Sequence, residues 1–400
     1  MYRLLEIFTI ALRLGFIAFG GPAAHIGYFK ETYVNRRKWI SDQRFAELLA
    51  VSQFLPGPGS SQLGAAIGYH RGGWMGAFLA WFGFTVPSAV MMIVFAKGID
   101  LLHQNELSCL HCLVLVALAV VANAIITMQK NLCDCAKTRG LAVFALVFLL
   151  FSPIPWSQPL VILLGGIIGI FIFKPDNSCK LDIELPDDSP SGKNSAVTKK
   201  QRLLLYGLGS VGIVTIIPFL LKGSEDLETT AGIFKAGSLV FGGGHVVLPL
   251  LGTEVVDTGK MDSMAFLAGY GTTQAMPGPV FTFAGYIGSK LSLFGSSWLG
   301  GTIALIAIFL PGMLLMAGFV PIWDSVKRFS WAHDFIKGTN AAVVGLLAHA
   351  WYVMLLQANM NDWWEWIIIL VSLVILYKKL LPVWLLVVLS SVVGYFIYRF

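Results

Sequence analysis

Apolar runs long enough to enter or cross a bilayer recur along almost the whole 400-residue chain. They fall near 4–29, 45–69, 74–96, 110–129, 141–152, 158–173, 203–221, 231–250, 264–288, 294–320, 339–357, 364–377 and 382–399. A span needs about 20 predominantly apolar residues, and runs of this kind predict membrane helices. Only 174–200 breaks the pattern at length. That stretch, "KPDNSCKLDIELPDDSPSGKNSAVTKK", mixes both charge signs with Pro, Ser and Asp and has no period, so it reads as a flexible linker. The expected fold class is an all-α integral membrane protein.

Composition agrees with the pattern. The chain is 56% apolar and 12% charged, against about 25% charged in a soluble domain. The net charge of +6 speaks to membrane topology rather than nucleic acid, because the basic residues sit in short loops. The apolar N-terminus lacks an A-x-A-like site, so it reads as a retained segment. Cys109 and Cys112 flank His111, and Cys133 and Cys135 follow. The helix expected between the two pairs separates them by about 30 Å, which no single zinc ion bridges. Neither metal nor cofactor is therefore expected. Trp363, Trp364 and Trp366 read as an interfacial belt.

The chain also repeats itself. An offset of about 222 residues pairs Arg13 with Lys235, Gly15 with Gly237, and Phe19-Gly20-Gly21 with Phe241-Gly242-Gly243. Nearly the same offset pairs Gln53 with Gln274 and Pro56-Gly57-Pro58 with Pro277-Gly278-Pro279; Pro87 and Pro311 follow in the same order. The division is 1–173 as a first repeat, 174–200 as a cytoplasmic linker, 201–228 as a connecting span, and 229–400 as a second repeat. One extra crossing between halves of even parity turns the second half upside down. Loop charge agrees: 30–44 carries Lys30, Arg36, Arg37, Lys38 and Arg44, whereas 252–262 carries Glu254, Asp257 and Asp262 against Lys260. Basic residues favour cytoplasmic loops. They divide most unevenly when 4–29, 45–69 and their counterparts enter and return as broken or re-entrant segments. The N-terminus and linker are then inside and the C-terminus outside.

The broken segments carry the chemistry. Gly20-Gly21-Pro22 and Pro56-Gly57-Pro58 cannot continue an α-helix, and freed backbone groups at membrane depth survive only against protein or a wet cavity. New helices can start after each break, near His25 and at Ser60 and Ser61, which suit an N-cap. The second half repeats this around Gly242, Gly243, Gly244 and His245, and after Pro277-Gly278-Pro279, where Thr282 stands for a serine. Helix N-termini favour anions. A basic side chain at mid-membrane costs about 2.5–3.5 kcal/mol and usually lines a functional cavity. Arg13 and Lys235 are the basic residues that no loop accommodates, so they and the four breaks are expected to form one anion site. Snorkelling from short segments is the plainer alternative. His25 and His245 could donate to an oxyanion or cap a helix; Gln53 and Gln274 could bind ligand or hold the breaks. Glu31, Glu47 and Glu254 read as loop-edge charges.

At "RLGFIAFGGPAAHI", "SQFLPGPGSSQLGAAIGY", "KAGSLVFGGGHVVLPLL" and "QAMPGPVFTFAGYIG" the sequence resembles the chromate ion transporter family, long two-domain type. The resemblance implies export of chromate from the cytoplasm across the inner (plasma) membrane, and a site on the residues just named. Chromate and sulfate are tetrahedral dianions of similar size, so a sulfate or other oxyanion carrier stays open, as does an anion channel. A membrane reductase would need intramembrane cofactor ligands that the scattered His and Cys do not supply. The expected partners are the oxyanion and the lipid bilayer, with no nucleic acid; a homodimer is compatible with the sequence.

Overall fold

The structure, a computed structural model, describes residues 2–99, 108–152, 157–173, 203–241, 243–322, 330–358, 360 and 362–399. The linker at 174–200 and Gly242 lie outside the described residues. Helices make up the architecture, and no strand occurs among the described residues. The first half comprises α1 (Tyr2–Ile17), α2 (Gly21–Phe29, prolonged by a π-helical turn, Lys30–Arg36), α3 (Asp42–Phe54), α4 (Gly59–Ile99), α5 (Ser108–Leu132), α6 (Ala136–Phe151) and α7 (Ser157–Ile172). Then comes α8 (Gly209–Leu220), which has no counterpart in the first half. The second half comprises α9 (Glu225–Leu239), α10 (Val247–Val255), α11 (Ser263–Thr273), α12 (Phe283–Lys290), α13 (Ser297–Phe319), α14 (Ser330–Gln357), α15 (Trp363–Tyr377) and α16 (Val383–Arg399).

Local chemistry sets the matching boundaries. Ser41 caps α3 by accepting from the Arg44 N–H (3.2 Å), and Asp262 caps α11 by accepting from the Ala265 N–H (3.0 Å). Each cap satisfies an N–H that the first turn leaves unpaired. With 13 and 11 residues, α3 and α11 reach only about 20 and 16 Å, short of the roughly 30 Å hydrocarbon core. Each runs into a Pro-Gly-Pro tip and returns through a new helix. The return arm in the first half is the start of α4. This helix leaves helical conformation at Gly72 (φ −144°) and Gly73 (φ 63°) and folds back, so that Gly68 lies against the Gly76 backbone. In the second half Gly288 of α12 lies against Gly300 of α13 in the same way. By length and composition, Gly59–Ile99, His111–Leu132, Ser297–Phe319 and His333–Gln357 can cross a membrane.

The two halves exchange partners. Within each, the first helix packs on the long Pro-containing one, α1 on α4 and α9 on α13. Between them, α14 packs against α6 and α7, while α5 packs against α15 and α16. Each long helix thus completes its bundle with the short C-terminal helices of the other half. The core formed this way runs through both repeats, with Val114, Leu118, Val121, Ala341, Val343 and Leu347 fully buried. The helices that hold the breaks are therefore anchored by both halves.

Candidate anion site at the helix breaks

All four breaks meet, and two backbone hydrogen bonds join them reciprocally. The Gly57 N–H donates to the Val240 carbonyl (2.7 Å), and the Gly278 N–H donates to the Ala18 carbonyl (2.9 Å). In the repeat register Gly57 corresponds to Gly278 and Ala18 to Val240, so each half gives the other the same bond. Packing obeys the same exchange. A Cβ on Gly57 would stand 2.8 Å from the Gly312 Cα, and one on Gly278 would stand 2.8 Å from the Ser88 Oγ. Both glycines have positive φ (123° and 94°), a region costly for residues with a side chain. Pro56, Pro58, Pro277 and Pro279 flank them and lack the N–H that a continuing helix would use. Elsewhere in the centre, Gly20 (φ 101°) and Gly21 (φ 74°) turn the chain into α2, with Pro22 in its first turn. Gly243 (φ 147°) precedes the 3-10 turn Gly244–Val246. Gly244 packs on Val280 and reaches Pro22, so breaks from both halves touch there as well.

Buried polar side chains tie the centre together. His25, wholly buried, hydrogen-bonds through Nδ1 with the Ser60 Oγ (3.1 Å) and through Nε2 with the Ala18 carbonyl (3.1 Å). It joins the first break to the second and so holds the structure. Gln62 donates to the carbonyls of Pro56 (3.0 Å) and Gly312 (2.9 Å). His245 pairs through Nδ1 with the Tyr270 hydroxyl (2.7 Å), and Thr282 donates to the Pro279 carbonyl (2.8 Å). Some polar atoms are left over: the Ser61 and Thr85 hydroxyls, the Gln274 amide nitrogen and the Gln62 amide oxygen are buried with no protein partner. Gln53, the counterpart of Gln274, is exposed.

The paired cations have different surroundings. Arg13 is exposed on α1 and forms no ion pair among the described residues. Lys235 is partly buried and lies 2.7 Å from the Glu254 carboxylate. The structure thus brings Lys235 to an acid of its own half, and no described contact joins it to Arg13. Glu254, which reads as a loop-edge charge in the sequence, belongs to α10. Glu31 differs: Asn35 and Arg36 hold its carboxyl below the usual range by hydrogen bonding. Glu47 pairs with Arg44 (2.7 Å). Sequence reasoning missed two cross-half pairs. Lys337, assigned to a loop by hydropathy, lies inside α14 and pairs with Asp134 (3.4 Å); His111 of α5 pairs with Glu365 of α15 (2.5 Å). Both pairs join distant segments, and nothing in linear spacing marks them. Among the described residues, no group of His, Cys, Asp and Glu could hold a metal ion; Cys133 is a free thiol and Cys135 is disulfide-bonded.

An all-helical, multi-pass membrane chain whose two related halves carry interrupted helices to a shared buried centre is, in class, a membrane transport protein. The chain belongs to the chromate transporter family, whose profile matches residues 5–170 and 227–395, one copy in each half. It is 30% identical over 403 residues to an uncharacterised transporter of Methanocaldococcus jannaschii, covering 98% of this chain and 94% of that protein. It is 27% identical over 346 residues to a chromate transport protein of Pseudomonas aeruginosa (86% of this chain, 79% of that one). A chromate transport protein of Cupriavidus metallidurans is 26% identical over 389 residues (94% and 88%). No solved structure matches the chain.

Proposed function

We propose that the protein exports chromate, or a tetrahedral oxyanion like it, from the cytoplasm by alternating access of its two halves. The observation that carries this reading is the reciprocal pair of hydrogen bonds, Gly57 to Val240 and Gly278 to Ala18. It joins the four helix breaks in two equivalent cross-half pairs, which supports a centre with pseudo-two-fold symmetry. Such a centre can be opened to either side by rocking one half against the other. An anion there meets the N-terminal ends of α2 and α4 and their counterparts in the second half. The unpartnered Ser61 hydroxyl and Gln274 amide add side-chain donors, which a bound oxyanion would satisfy. Arg13 and Lys235 supply full positive charges for a dianion. Efflux is also the easier direction: moving one charge through 100 mV is worth about 2.3 kcal/mol, so a dianion leaving a negative interior gains about 4.6 kcal/mol.

Chromate accumulation by inverted membrane vesicles, with sulfate as competitor, tests this reading. The expected result is potential-dependent chromate uptake that saturates. Sulfate uptake with no effect of chromate would make the protein a sulfate carrier. Currents far above carrier turnover in a planar bilayer would make it a channel.

A further inference from the structure

A groove follows the seam between the two long Pro-containing helices, α4 of the first half and α13 of the second. The helices touch at Trp81 and Phe309, whose rings lie 5.7 Å apart, and at Ile93, 2.8 Å from the Cβ position of Gly301. Rising numbers on one helix meet falling numbers on the other, so the two run antiparallel. The lining residues extend from Trp74 to Ile93 on α4 and from Trp298 to Ala317 on α13, about 28 Å along each axis. Both helices can cross a membrane, whose hydrocarbon core is roughly 30 Å thick. No charged side chain lines the groove. Ala77, Ala89 and Ala317 leave it open, and Phe78, Phe82 and Ile306 stand exposed along it.

Size and charge decide what fits. The cavity measures about 630 Å³. A helix about 10 Å across would need about 2,200 Å³ over the same length, so no helix of a second copy can be seated in it. An unbranched hydrocarbon chain is one methylene thick and bends to an irregular wall, and apolar walls left unfilled forfeit dispersion contacts. Charge selects one end. Near Trp74, Arg71 is taken up by Glu6 (3.4 Å) and by the Trp39 ring. At the other end Lys97 is exposed, its ammonium lies over the Trp298 ring, and it forms no ion pair among the described residues. A lysine above an interfacial tryptophan suits a lipid phosphate.

We propose that this groove binds a phospholipid, with its phosphate on Lys97 and one acyl chain laid from Trp298 toward the Trp81–Phe309 contact. Occupation bears on the helix breaks. Gly57 packs on Gly312, next to Met313 of one groove wall, and Gly278 packs on Phe84 and Ser88, next to Thr85 and Ala89 of the other. The chain therefore braces the turns of α4 and α13 that hold the two Pro-Gly-Pro tips. A lipid that binds the joined halves stabilises them. The binding does not depend on which ion the protein carries.

The test uses the full-length protein in vesicles of phosphatidylglycerol, part of which carries a photoactivatable diazirine midway along one chain. Labelled peptides are mapped by mass spectrometry. Label around Trp81 and Phe309 should exceed severalfold that at Phe144 and Val147 of α6, which are exposed and lie outside the groove. Ala77→Phe combined with Ala317→Phe fills the groove and should bring its label down to the α6 level. Lys97→Gln should lower the groove label severalfold and leave the α6 label unchanged. In detergent, added phosphatidylglycerol should raise the melting midpoint of the parent protein but not that of the filled variant. Equal label on groove and α6 in the parent protein, or an unchanged groove label in Lys97→Gln, would overturn the proposal. If the filled variant does not reach the membrane, those two results still decide it. Groove label at the α6 level, together with a disulfide between two copies carrying Phe78→Cys, would give the groove to a second copy instead.

Discussion

At the scale of single residues, Gly57 and Gly278 are where composition becomes geometry. Each needs a positive φ, each gives its N–H to the other half, and each touches a helix of the other half at the position where a Cβ would stand. Valine at either position combines left-handed strain with overpacking, at about 2–4 kcal/mol in total. Thermal unfolding in detergent should report that loss, and chromate flux should vanish even in protein that remains folded. Full flux in Gly57→Val would show that the close approach is dispensable. The cations make a second prediction at this scale. Arg13→Gln should cut flux severely at near-normal expression, because a buried dianion lacks compensation without a full countercharge. Arg13→Lys should be milder, since it keeps the charge and loses only the forked donor geometry. Parent affinity and rate in Arg13→Gln would mark Arg13 as a snorkelling anchor.

Between elements, small residues decide how closely helices approach. Gly165 and Gly169 of α7 form a small-xxx-small pair, and Gly338 of α14 packs directly onto both, with its Cβ position 2.8 Å from the Gly169 Cα. Gly345 of the same helix seats the Ala142 backbone, and a Cβ there would stand 2.7 Å from the Ala145 Cβ. Membrane helices associate through such backbone contact because lipid offers no hydrophobic drive between them. Gly338→Leu should therefore force α7 from α14 and lower stability by about 1–3 kcal/mol. Gly140→Leu on α6, where nothing lies within 4 Å of the Cβ position, should unfold like the parent. Equal midpoints for the two variants would mean that α7 and α14 do not depend on this contact.

For the whole molecule, the unpaired α8 and the opposite charges of corresponding loops both point to halves of opposite orientation. A single cysteine in loop 30–44 and another in loop 252–262, each in a cysteine-free chain, should react with an impermeant reagent from opposite sides of the membrane. Labelling of both from one side would exclude the inverted arrangement. The partner exchange adds a consequence for assembly. With α14 seated on α6 and α7, and α5 on α15 and α16, neither repeat can bury its long helix alone. The two repeats expressed as separate chains should each be degraded, and coexpression should restore both.

Hydropathy alone determined the helical class, because a bilayer core admits few ways to satisfy the backbone. The order of Phe-Gly-Gly and Pro-Gly-Pro motifs alone determined the duplication and the positions of the breaks, since Gly and Pro act through local conformation. His25, Gly57 and Gly278 were legible for the same reason. What the pattern could not contain was pairing across long separations. That Gly57 bonds Val240 rather than a neighbour, that α5 and α14 trade partners, and that Glu254 takes Lys235 while Arg13 stays unpaired follow from how the helices pack. The sequence presented Arg13 and Lys235 as equivalents because their local frames are alike. Only the tertiary structure separates them, because an ion pair depends on what the neighbouring helix brings within about 4 Å, and α10 brings a carboxylate where α2 and its π-helical extension bring Thr32.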